Sequence, residues 1–311
     1  GQSMNSLSTS LATRDESVSS VSAGRSPARD AWRALSRNPG ALFGLVVVLS
    51  FVVLGLVGLL AMRYPSILPY DYTAQDLMAT FVRPGQDGHL LGTDQLGRDM
   101  LSRVVVGIGI SLAVGFGVTA LSMVVGLVAG GLAGYKPGWI DTIISGIIEI
   151  TWGFPLILVA IIAAGALGPG MTSIVLAIAL LYWAGFARLI RGEVLVLRNQ
   201  EFVQAARASG AGDGRILFRH ILPHTIGPAL VMASYYVAAA IIAEAAFSFI
   251  GLGAQPPTPS LGAMIADGRN YILLDHWVST IPGLAILIVV VALNLLGDGL
   301  RDILDPRLRN R

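Results

Sequence analysis

Residues 41–62, ALFGLVVVLSFVVLGLVGLLAM, contain no charged side chain. As an α-helix at ~1.5 Å per residue the block rises about 33 Å, enough to cross the hydrocarbon core of a bilayer. Inside lipid there is no water to satisfy the backbone, so a spanning segment must close its hydrogen bonds within a helix or a sealed barrel. A long apolar run without alternation reads as a helix. Comparable runs recur at about 104–133, 139–167, 171–190, 226–250 and 278–298, separated by YKPG (135–138), GPG (168–170), the long loop 188–224 and GLGAQPPTPSLG (251–262). The expected fold is an all-α polytopic membrane protein with six transmembrane helices. Composition agrees, with 54% of residues hydrophobic and 13% charged, about half the charge of an ordinary soluble domain.

The remaining segments divide naturally. Residues 1–25, rich in Ser and poor in aromatics, are expected to form a disordered tail. Residues 26–40 open on Ser26 and Pro27 and carry Arg29, Arg33 and Arg37 beside Trp32, the pattern of an interfacial elbow helix. Because residues 1–38 are too long and polar for a signal-peptide n-region, the first span is expected to stay as an uncleaved anchor. The stretch 63–103, punctuated by Pro65, Pro69, Pro84 and Gly85, reads as an external loop, 104–300 as the core with a second external loop at 251–276, and 301–311 as a cytoplasmic tail. With both termini cytoplasmic, the outside segments hold only Arg63, Arg83, Arg98, Arg103 and Arg269, while every other basic residue lies inside. That asymmetry is the one the positive-inside rule requires.

Several function classes fall away. The chain has no cysteine, so neither disulfides nor thiolate metal sites are possible. No stretch interleaves basic and aromatic residues as nucleic-acid binding does. His220 and His224 have the four-residue spacing of a metal pair, but Pro223 lies between them and no third ligand is nearby, so no metal is expected. The sole lysine, Lys136, lies in GYKPG and lacks the G-K-[ST] that cradles phosphates. The glycine series at 107–118 and 124–134 follow no strand and read as close helix packing in lipid.

Loop 188–224 is long for a connector. From Glu201 it has helical periodicity, with Phe202, Ala205, Ala206 and Ser209 forming a small apolar face toward the protein or a partner. Gly210 and Gly212 are expected to stop that helix. Asp213 reads as the N-cap of a second short helix bearing Ile216, Leu217 and Ile221 and ended by Pro223. With Arg207, Arg215 and Arg219 the pair makes either a docking knob for a soluble protein or a hairpin that merely orients the spans, and pattern alone leaves both open.

The same segment resembles the EAA loop of permease subunits in ATP-binding cassette importers: E-A-A, three residues, G, nine residues, I-x-L-P. Gln204, Ala205 and Ala206 take the first places, Gly210 the glycine, and His220, Ile221, Leu222 and Pro223 the last. Gln204 for Glu and His220 for Ile depart from the pattern. LGTDQLGRDMLSR (91–103) and EAAFSFIGLGAQPPTPSLGAMI (244–265) resemble the C-type subunit of the dipeptide and oligopeptide permease family. The resemblance implies a non-catalytic, multi-pass protein of the bacterial inner membrane forming half of a peptide pathway. Its implied partners are a second homologous permease subunit, two cytoplasmic ATPase subunits that hold ATP and Mg, and an external or periplasmic peptide-binding protein; this chain itself takes no cofactor. The ATPase-docking residues are expected to be Glu201, Gln204, Ala205, Ala206, Arg207, Gly210, Asp213, Arg215, His220, Leu222 and Pro223. Glu149, Glu244, Phe247 and Phe249 are candidates for the path or gate, Glu149 and Glu244 because ionisable groups at membrane depth are costly. Contact with the binding protein is expected at Asp94, Arg98, Asp99, Pro256 and Pro257. Glutathione, nickel chelates or other small solutes are alternative cargoes, and a proton-coupled secondary transporter relaying through Glu149 and Glu244 is a rival that leaves the loop unexplained.

Overall fold

A computed structural model describes Ser36 and residues 38–304. The expected tail at 1–25, most of the elbow at 26–40 and the end of the chain from 305 lie outside the described residues. Regular structure among those described is helical, apart from two isolated β-bridges in the 63–103 loop.

Helix α1 (Pro39–Ala61) starts where Asn38 accepts a hydrogen bond from the Ala41 amide and Pro39 supplies a helical φ at N1. Its buried residues are mostly small, Ala41, Gly44, Gly55, Gly58 and Ala61 with Val48; Val47, Phe51 and Val52 pack partly against the core, and the outward side is exposed and apolar. Helix α2 (Met100–Tyr135) is capped by Asp99, which accepts from the Ser102 amide at 2.8 Å. At ~1.5 Å per residue it is about 54 Å long, well beyond a bilayer core of ~30 Å, so its ends reach into both flanking layers. It is the central post, packed by α1, by α5 (Met171–Leu197) and by α7 (Asp213–Phe249). An added Cβ at Gly126 or Gly130 would run into Phe186 or Ala187 of α5, so this crossing is backbone against backbone. Helix α8 (Leu261–Gly268), capped by the Ser260 hydroxyl, and α9 (Trp277–Leu304) close the bundle.

The third expected span differs. Residues 139–167 form α3 (Trp139–Gly153) and α4 (Leu156–Leu167), bent by 89° at the break. Pro155 has no amide to donate and pushes Phe154 into an extended conformation at φ −91°, ψ 127°, which ends the first helix. Among the described residues, five helices are thus long and apolar enough to cross alone, and the bent pair makes a sixth when its two halves count as one span. The helices also extend past the expected apolar runs, α2 over Met100–Tyr135 instead of 104–133 and α5 over Met171–Leu197 instead of 171–190.

Candidate functional site

At the arginine-rich end, α6 (Glu201–Ala208) leaves α5 and turns back at Gly210. Gly210 sits at φ +80°, where a side chain is strained, while the Gly210 and Ala211 amides bond the Arg207 and Ala206 carbonyls. The inward face of α6 is Val203 with Ala206, packed among Tyr135, Ile190, Val194, Ile216, Leu217 and Ile221. Phe202, Ala205 and Ser209, expected to share one apolar face with Ala206, stay exposed. Short helices tilt to meet what the tertiary structure offers, and here the end of α5 lies on the Val203 side. Glu201, Gln204, Arg207 and Arg215 are exposed, and Gln204 Nε2 donates to the Asn199 carbonyl at 3.3 Å.

Two readings of this loop change. Asp213 is not an N-cap: Gly212 holds that place, and the Asp213 carboxylate accepts from the Tyr135 hydroxyl at 2.8 Å. Arg207 donates to the same hydroxyl at 3.5 Å, so the last residue of α2 ties both halves of the loop. Pro223 does not end the second helix, which runs on to Phe249. Residues Ile216–Ile221 form a π turn, and the shifted hydrogen-bond register carries the proline without a stop. His220 and Leu222 are half-buried and Pro223 is exposed. Tyr135 and the Arg191–Asp141 pair, at 2.5 and 2.9 Å, leave no local signal in the sequence, since their partners lie 50 or more residues away. The same holds for an open cleft of about 580 Å³ between α5, α7 and α9, with Glu193, Tyr235 and Arg301 among apolar walls.

At the opposite end, Asp94, Arg98 and Asp99 sit inside the cap rather than on its outer surface. All three are buried, because Asp94 accepts from the Arg98 amide at 3.0 Å and from its Nε at 2.6 Å, while Asp99 caps α2 and meets His89 Nδ1 at 2.8 Å. They hold the 63–103 segment as a folded cap, which Trp277 Nε1 fastens to α9 through the Thr93 carbonyl. Pro256 and Pro257 remain exposed. Glu244 is fully enclosed, accepting from Ser111 at 2.8 Å and Ser248 at 2.7 Å, and Phe247 is also interior, so neither faces an open path in this structure. Phe249 is partly exposed with the Arg269 guanidinium 5.7 Å from its ring, and Glu149 is exposed on α3.

Fold and site define a multi-span membrane protein built around one over-long helix, with a two-helix projection at its basic end. Residues 123–310 match the family model described as a binding-protein-dependent transport system inner membrane component, and residues 26–84 match the N-terminal transmembrane domain of oligopeptide transport permease C. The di/tripeptide transport system permease protein DppC of Pseudomonas aeruginosa is 40% identical over 290 residues, covering 92% of this chain and 94% of that one. The dipeptide permease protein DppC of Bacillus subtilis is 41% identical over 282 residues, covering 90% and 86% of the two chains. The glutathione transport system permease protein GsiD of Pectobacterium atrosepticum is 40% identical over 304 residues, covering 98% and 97%. Among solved structures, an inward-facing MetNI methionine ABC transporter aligns with TM-score 0.53 at 21% identity, covering 66% of this chain and 97% of that one. The chain belongs to the binding-protein-dependent transport system inner membrane component family. It is a multi-pass permease subunit of the bacterial inner membrane, and its role there is transport rather than catalysis.

Proposed function

We propose that the chain forms one half of the translocation pathway of an ATP-driven importer of di- and oligopeptides. The relatives carried as peptide permeases, about 40% identical over nearly the whole of both chains, are the main support. A second homologous permease subunit completes the path, and an external binding protein delivers the cargo. Two cytoplasmic ATPase subunits hold ATP and Mg, and this chain contributes no cofactor. The positive-inside distribution supports an orientation with the arginine-rich loop and both termini in the cytoplasm.

Residues 201–223 then dock the ATPase. The exposed Phe202, Ala205 and Ser209 offer an apolar face, ringed by Arg207 and Arg215, and Gln204 replaces the family's usual carboxylate, so the grip rests on shape and on the arginines. Closure of the ATPases moves α6, and the Tyr135 hydroxyl carries that movement to α2 through Arg207 and Asp213. Only contacts that differ between the two states can drive such a change.

The test is ATP-dependent uptake of a labelled dipeptide into vesicles holding the assembled complex. Gly210→Val, which forces a side chain into the left-handed region, and Ala206→Asp, which places a charge against the Val203 cluster, are expected to retain ATP hydrolysis and lose most uptake. Uptake unchanged in both variants sinks the coupling role. Competition by glutathione stronger than by dipeptides moves the cargo to the class named for the Pectobacterium relative.

A further inference from the structure

Where α7 ends, at the face opposite the arginine-rich loop, a cavity of about 190 Å³ is lined by Arg98, Arg103, Ser248, Gln255, Pro257 and Ala266. Arg98 and Arg103 are only 7% and 3% exposed. The buried acid beside them is Asp94, which takes Arg98 Nε at 2.6 Å and lies 3.4 Å from Arg103 Nε. Asp99 is engaged by the α2 N-terminus and His89. Two guanidiniums therefore share one buried carboxylate.

The next acid, Asp267, stands half-exposed at the rim. Its Oδ2 lies 3.5 Å from Arg98 Nη2 and 4.0 Å from Arg103 Nη2, beyond the ~2.7–2.9 Å of a good charge-assisted pair. Arg103 Nε and Nη1 are buried with no hydrogen-bond partner. An unsatisfied buried donor is costly, most of all on a charged group. The cavity thus presents more donors than its own acids satisfy, and Asp267 marks where an acceptor approaches without filling the place.

We infer that this pocket binds one carboxylate group, seated between Arg98 and Arg103 in competition with Asp267. The volume suits a carboxylate on a short aliphatic stem. Such a group comes either from the free end of a small solute or from an acidic side chain of a protein docked over the exposed Pro256 and Pro257. The inference stands on the cavity alone and does not need the peptide reading.

The assembled complex in nanodiscs is titrated with acetate, with neutral acetamide and with chloride at matched ionic strength, following the thermal unfolding midpoint. Acetate is expected to raise the midpoint while acetamide and chloride do not. Asp267→Asn, which removes the competing carboxylate, is expected to reach half its shift at about one fifth of the acetate needed by the unmodified complex, the weight of one partly exposed charge pair. Ala266→Leu, which fills the cavity and leaves both arginines in place, is expected to abolish the response. Equal responses in all three complexes, equal responses to acetate and acetamide, or no acetate response in Asp267→Asn overturns the inference. With the pocket established, loss of binding-protein affinity in saturating acetate assigns the carboxylate to the docked protein, and unchanged affinity assigns it to the solute.

Discussion

Glu244 shows how much one buried side chain can organise. Its carboxylate gathers the hydroxyls of Ser111 on α2 and Ser248 on α7 with no exposure to solvent or lipid. Removing it leaves two hydroxyls without their acceptor and opens a void. Glu244→Ala is therefore expected to destabilise the complex by roughly 2–4 kcal/mol, seen as a lower unfolding midpoint in detergent. Glu244→Gln keeps the shape and one acceptor oxygen, and is expected to cost clearly less. If the two variants match the unmodified complex in stability but differ in uptake, Glu244 belongs to the path and not to the scaffold. The glutamate was legible in the sequence as an ionisable group in an apolar run. Its partners were not, because Ser111 lies 133 positions away.

Among the elements, α2 and α5 cross at backbone distance. An added Cβ at Gly130 would meet the Ala187 carbonyl, and at Gly126 the Phe186 side chain, so the helices touch through their backbones. In lipid, where apolar burial between helices gains little, such packing supplies much of the association energy. Gly130→Leu is expected to destabilise the complex by about 1–3 kcal/mol, the usual cost of overpacking, and to lower its yield on size-exclusion chromatography. The small-residue runs at 107–118 and 124–134 announced close packing from the sequence, but not which helix would be met. The bend between α3 and α4 was equally present as Pro155, hidden inside a run whose hydropathy reads as one span.

For the whole molecule, orientation is the property most directly open to measurement. The chain has no cysteine, so single cysteines report without background. Leu273 is 96% exposed in the 251–276 segment, and Ser209 is exposed at the end of α6. Leu273→Cys is expected to react with a membrane-impermeant maleimide on intact spheroplasts, and Ser209→Cys only after lysis. The reverse labelling pattern overturns the proposed cytoplasmic position of the loop and with it the proposed docking role. A membrane setting also accounts for the exposed apolar surfaces of α1, α3 and α4, which suit lipid rather than water.

The solvent, the helical class, the six hydrophobic runs and the charge asymmetry across them are all written in the local run of residues. Each follows from the free energy of moving residue types between water and lipid, which depends on composition along the chain and hardly on distant contacts. The spacing from Gln204 to Pro223 that marks the loop is written there too, since that pattern is local. The interior position of Asp94, Arg98 and Asp99, the inward turn of Val203 instead of Phe202, and the tie that Tyr135 makes between α2 and the loop arise from packing alone. Those outcomes depend on which side chains meet across tens to hundreds of residues, and burial of a charge is tolerable only where such a meeting supplies its partner.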